Sequence, residues 1–168
     1  MTDPFRGPRG MLDPMETVTV RPAEPRDAFA VGALHIQDER ERGVVPPAGF
    51  LDVFADAWLR DRARRTWLAE SATGRPVGVL HGTRVQKLPS PRRPATAWFH
   101  VSLLFVTADA RGRGVGEHLL RTVLTWAPSE AVTRVQLHAE PRARTLYERV
   151  GLGPPSDRLL ELRLDDPA

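Results

Sequence analysis

The 168-residue chain contains no cysteine. Disulfides, thiolate metal sites and cysteine nucleophiles are therefore excluded, and no metal is expected. Lysine is nearly absent: Lys87 is the only one, so arginine carries the basic charge, and the formal net charge is only +3. Aromatic residues make up 7% of the chain and Tyr147 is its single tyrosine. Arginines are not interleaved with stackable rings as on a nucleic-acid surface, so no nucleic-acid partner is expected. No apolar run approaches the ~20 residues that a membrane span needs. The N-terminus lacks the apolar core of a secretory signal. These absences predict a cytoplasmic protein with no membrane partner.

Proline and glycine punctuate what is present. Residues 1–16 hold Pro4, Pro8 and Pro14 among few apolar residues. They read as a disordered leader ahead of a domain over 17–164, with 165–168 a polar tail. Alternation predicts a strand over Thr17–Arg21, ended by Pro22 and Pro25. Asp27 caps a helix whose buried side is Phe29, Val31, Leu34 and Ile36. After a loop through Pro46 and Pro47, a helix over 50–62 places Phe50, Val53, Phe54, Ala57 and Trp58 on one side. Strands at 66–70 and 76–86 form a hairpin. The long central strand is 95–106, with Phe99, Val101, Leu103 and Phe105 on one face and Trp98, His100, Ser102, Leu104 and Val106 on the other. A helix then runs to Pro128, and a strand covers 133–139. Pro141 opens a helix with Ala143, Leu146, Tyr147 and Val150 in a stripe, and Gly151 stops it. A last, leucine-rich strand spans 158–164 and is compatible with pairing into a homodimer. This order is that of an α/β (α+β) domain with a mixed sheet.

The stretch Leu103–Gly116 joins an apolar strand to a glycine turn and an amphipathic helix carrying Val115, Leu119, Leu120, Val123, Leu124 and Ala127. The first turn of a helix has unpaired N–H donors and a partial positive charge, so it can hold a phosphate. Gly112, Gly114 and Gly116 allow close approach to the backbone, and Arg111 and Arg113 add charge. The spacing is G-x-G-x-G rather than the dinucleotide fingerprint G-x-G-x-x-G. No Gly-Lys pair of a P-loop exists.

Arg111-Gly112-Arg113-Gly114-Val115-Gly116 resembles the R/Q-x-x-G-x-G/A signature of the GCN5-related N-acetyltransferase (GNAT) superfamily. Ala143-Arg144-Thr145-Leu146-Tyr147-Glu148-Arg149-Val150-Gly151-Leu152 is similar to that family's A-x-x-L-Y-x-x-x-G-F segment. The hairpin of Trp67-Leu68-Ala69-Glu70 and Val77-Gly78-Val79 is also of the family's type. Two positions depart from the pattern: Glu140 stands where the family often has Asn, and Leu152 where it has Phe. A carboxylate cannot donate to a cofactor as an amide can.

The resemblance covers nearly all of 17–164. It implies a mostly antiparallel, twisted sheet flanked by about four helices. It implies acetyl-CoA as cosubstrate, its pyrophosphate on Arg111, Gly112, Arg113, Gly114, Val115 and Gly116, and its pantetheine along Leu104, Phe105 and Val106. The N–H of Leu104 becomes the donor to the oxyanion. Transfer goes by direct attack of a primary amine of a small molecule or peptide. Tyr147 matches the tyrosine that donates to the leaving thiolate, a role suited to a phenol of pKa ~10. His100, at a position where some members carry Glu or His, is the candidate base. It is placed on one face with Leu104 and Val106. His81, His138 and Glu70 are alternatives. Asp38, Glu39 and Glu41 either attract a cationic amine or form a solvated helix end paired with arginines. O-acetylation, or acyl-CoA binding without turnover, are competing functions on the same fold.

Overall fold

A five-stranded sheet in the order β1-β2-β3-β4-β5 is built from Thr19–Pro22, Arg64–Glu70, Pro76–Lys87, Thr96–Val106 and Val132–Leu137. The computed structural model of the chain describes residues 17–157, 159 and 160. The first three pairings are antiparallel and β4 pairs with β5 in parallel, so the sheet is mixed and mostly antiparallel, as expected. The described residues also form four α-helices: α1 (Ala28–Glu41), α2 (Phe50–Arg60), α3 (Val115–Trp126) and α4 (Arg144–Arg149). The chain falls into two compact units, Met1–His138 and Ala139–Ala168. The leader, the tail and most of the expected last strand lie outside the described residues. Leu159 and Leu160, the described part of that strand, have no regular structure.

In the first unit, α1 and α2 pack on one sheet face. Val31, Leu34, Leu68, Val79, Leu103 and Phe105 form its core, with Phe54 and Trp58 against it. The two helices approach closely at Gly32, where a Cβ would meet Leu51 Cδ1 at 2.7 Å and Phe54 Cδ1 at 2.9 Å. The buried side of α2 therefore runs through Leu51, Phe54, Ala55 and Trp58, and Val53 is 67% exposed rather than inside. Phe29 of α1 is likewise exposed. On the other face, Trp67, Phe99 and Trp126 of α3 meet edge to face.

One irregularity decides how the sheet is used. His81 pairs with Leu103, but the next residue, Gly82, pairs with Val101, so Ser102 is an extra residue in β4. Such a bulge shifts side-chain alternation by one. Phe99 packs with Trp67 and Trp126, whereas Leu103 and Phe105 pack with α1. The expected common face for Phe99, Val101, Leu103 and Phe105 is thus broken in the middle. His100 and Leu104 fall on opposite faces for the same reason.

In the second unit, α4 ends in a Schellman motif. Gly151 has φ +92°, and the N–H groups of Gly151 and Leu152 donate to the carbonyls of Glu148 and Tyr147 at 3.0 Å each.

Candidate active site

The parallel pairing of β4 with β5 ends at Val101 and Leu137. Beyond it, β4 continues to Val106 with β3 as its strand partner on one side and, among the described residues, none on the other. Leu104, Phe105 and Val106 therefore border an open strand edge, directly after the bulge. Phe105 is buried in the α1 core, while Leu104 and Val106 are half-buried on the opposite face.

The open edge leads into the glycine turn. Gly112 and Gly114 have φ of +73° and +78°, and among the described residues a Cβ at either would meet nothing within 4 Å. Their glycine requirement is one of backbone conformation, not of crowding. Gly114 is the N-cap of α3, so the N–H groups of Val115, Gly116 and Glu117 have no intrahelical acceptor. An open strand edge followed by this donor-rich turn fits a long acyl carrier with an anionic end. Arg111 is placed differently from the expectation of a phosphate ligand. Its Nε donates to the Val106 carbonyl at 2.8 Å, its guanidinium pairs with Glu41, and it lies 5.5 Å over the Phe105 ring. Arg113 is exposed at the turn.

The bulge carries His100 to the α1–α2 face. It stands directly opposite Thr83 of β3, which stands opposite Arg64 of β2. Its ring meets that of His138, 5.7 Å away, where β4 and β5 part. Burial, then the His138 charge, hold its pKa below the ordinary 6.5. His100 is thus neutral at neutral pH, with a buried Nδ1 that has no hydrogen-bond partner among the described residues. His81 is only 3% exposed, and burial, Arg64 and His35 push it down to about 4. Glu70 is bound by Arg21 at 2.6 Å, in a network that also includes Asp27. Asp38 pairs with Arg42 at 3.1 Å and Glu41 with Arg111, so two of the three carboxylates at the end of α1 are matched by arginines.

Tyr147 lies in α4. Burial, then the Glu140 carboxylate, raise its pKa above the usual 10.0, which keeps the phenol protonated. Glu140 itself is bonded to Arg142 at 2.8 Å.

Sequence reasoning missed Gly82, Ser102, His35, Arg64 and Thr83. A second glycine within one strand, Gly78 then Gly82, was a signal of a bulge or close backbone approach. His35, Arg64 and Thr83 carry no such signal, since only packing brings them together.

A mixed sheet whose central strand parts from its parallel neighbour and passes through a glycine turn into a helix is the fold of an acetyltransferase. The chain belongs to the acetyltransferase (GNAT) family, whose model matches residues 31–152. N-acetyltransferase 8 of Rattus norvegicus is 30% identical over 109 residues, 63% of this chain and 47% of that protein. N-acetyltransferase 8B of the same organism is 34% identical over 100 residues, 58% of this chain and 42% of that protein. The chain spans about half the length of these curated relatives. Among solved structures, a predicted acetyltransferase from Clostridium acetobutylicum, with acetyl-CoA, superposes with a TM-score of 0.70 at 16% identity, covering 88% of this chain and 97% of that one. A ribosomal-protein-alanine N-acetyltransferase from Brucella melitensis biovar Abortus 2308 gives 0.68 at 22% identity, with coverages of 87% and 99%. At these identities the likeness is one of fold. Among the described residues no helix is long and apolar enough to cross a membrane.

Proposed function

We propose that this protein is an acetyl-CoA-dependent N-acetyltransferase acting on a primary amine of a small molecule or peptide. The observation that carries this reading is the open edge of β4, which starts beside His100 and ends in the Gly112–Gly114 turn. Acetyl-CoA would supply an acyl group activated as a thioester. The backbone from Leu104 to Val106 would align the carrier's arm, with the Leu104 N–H the donor beside the reacting carbonyl. The turn from Gly112 to Gly116 would hold its phosphates, through backbone donors rather than through Arg111, whose charge is shared with Glu41.

His100 takes the proton of the attacking amine, directly or through one water. Its depressed pKa keeps it able to accept at neutral pH. The amine nitrogen bonds to the acyl carbon as the carbon–sulfur bond breaks, and Tyr147 gives its proton to the departing sulfur. A protonated phenol suits that role. The test is a thiol-release assay over a panel of amines with acetyl-CoA. Amine-dependent release supports the transferase. Tight acetyl-CoA binding with no release from any amine would instead identify an acyl-CoA-binding protein.

A further inference from the structure

Between α2 and the sheet lies a cavity of about 380 Å³ that includes His35, Phe54, Trp58, Arg64, His81 and Thr83 in its wall. That is near the small end of the roughly 300–1,000 Å³ usual for ligand sites. Flat ring faces line it: Phe54 and His81 lie 6.5 Å apart and 10° from parallel, and His35 and Phe54 lie 5.2 Å apart at 24°. His81 is 97% buried by its 3% exposure, yet its Nδ1 and that of His35 have no hydrogen-bond partner among the described residues.

Charge in the cavity has one sign. Among the described residues no carboxylate is in its wall, and Arg64 is its only cation. The Arg64 Nε donates to Asp61 at 2.7 Å, and among the described residues its terminal nitrogens bond nothing. Its charge reaches the interior, since it helps to depress His81. Register then gives direction. Arg64, Thr83 and His100 stand directly opposite one another on three adjacent strands, so they project from one face. With strands ~4.8 Å apart, the backbones of Arg64 and His100 are about 10 Å apart.

We propose that this cavity takes the non-reacting end of the acceptor, and that the acceptor is a ring-bearing amine with an acidic group at its far end. The acid sits on Arg64, the ring lies against Phe54 and His81, and the amine reaches His100. A cationic amine finds no counter-charge inside the cavity, which orients it outward. This substrate class rests on the N-acetyltransferase reading.

The experiment pairs thiol release with calorimetric binding for 4-(2-aminoethyl)benzoate, 2-phenylethylamine and 6-aminohexanoate. The benzoate should show a kcat/KM at least about tenfold above the other two, the scale of one charge-assisted hydrogen bond. Arg64→Gln should raise the KM for the benzoate about tenfold, keep its kcat, and leave 2-phenylethylamine within about twofold. Equal use of the three amines, or an equal effect of Arg64→Gln on both ring amines, overturns the proposal while the transferase reading stands. Binding of the benzoate that weakens in Arg64→Gln, without thiol release, upholds the cavity's role as a binding site and overturns transfer. Neither release nor binding of any of the three overturns both.

Discussion

The α-carbon of Gly82 faces the backbone carbonyl of His100 so closely that a Cβ there would lie 2.1 Å from the oxygen, with Phe99 Cζ at 2.7 Å. This approach lies at the bulge, where Gly82 pairs with Val101 and Ser102 is the extra residue. A backbone oxygen cannot swing aside as a side-chain tip can. Gly82→Ala should destabilise the protein by about 1–3 kcal/mol, the usual cost of overpacking. Because the strain falls on His100, kcat should drop even in the folded fraction. Urea unfolding and thiol release together check this; wild-type stability in Gly82→Ala would mean the strands separate without cost.

Gly114→Val tests the phosphate cradle. A left-handed φ of +78° costs a residue with a Cβ about 1–2 kcal/mol, and a branched side chain there would also stand over the open N-terminus of α3. No described residue comes within 4 Å of a Cβ there, so the fold should survive. Acetyl-CoA affinity, measured by calorimetry, should fall sharply. Unchanged affinity would remove the turn from the cosubstrate site.

Tyr147→Phe keeps the ring and removes the hydroxyl. An acid that acts as the thiolate leaves contributes to the transition state more than to binding. The expected result is a lower kcat with a nearly constant KM for acetyl-CoA. Should turnover stay at the wild-type rate, Tyr147 contributes packing only.

For His100, the lowered pKa fixes where the acid limb falls. Burial and the His138 charge both disfavour the imidazolium, so the base form persists below the ordinary 6.5. The kcat profile should rise with pH through a midpoint under that value. His100→Ala should lose this limb and cost roughly 10²-fold in rate. Retention of both would move the base to His138 or to a water chain.

His81 makes stability depend on pH below the same ordinary histidine value. Its folded pKa of about 4 lies below the ordinary 6.5, with Arg64 and His35 facing it. The unfolded chain takes up the proton first as pH falls. Stability is therefore fully present above 6.5 and lost between there and about 4, by on the order of 3 kcal/mol. Asp27, held low by Arg21, adds its loss only below the ordinary carboxylate range. His81→Gln should remove most of the loss of thermal stability between pH 6.5 and about 4, leaving the share of His100, whose pKa is also lowered, and the lower-pH loss in place.

The sequence by itself determined the order of elements from β1 to α4, the glycine turn and the family. Each rests on local signals: the alternation of β3 and β4, the i, i+3, i+4 stripe of α3, and glycines whose positive φ the chain requires. The helix end after Tyr147 was equally legible, because Gly151 is the residue that a Schellman motif demands. Tertiary structure alone decided which face His100 occupies. One inserted residue, Ser102, reverses the alternation, and period-2 reading cannot see it, since both halves of β4 remain apolar on alternate positions. It also decided that Arg111 turns toward Glu41 and Phe105, and that Arg64, Thr83 and His100 form a row. These residues are separated by 19 and 17 positions or more, and only strand register, which no local pattern encodes, sets them side by side.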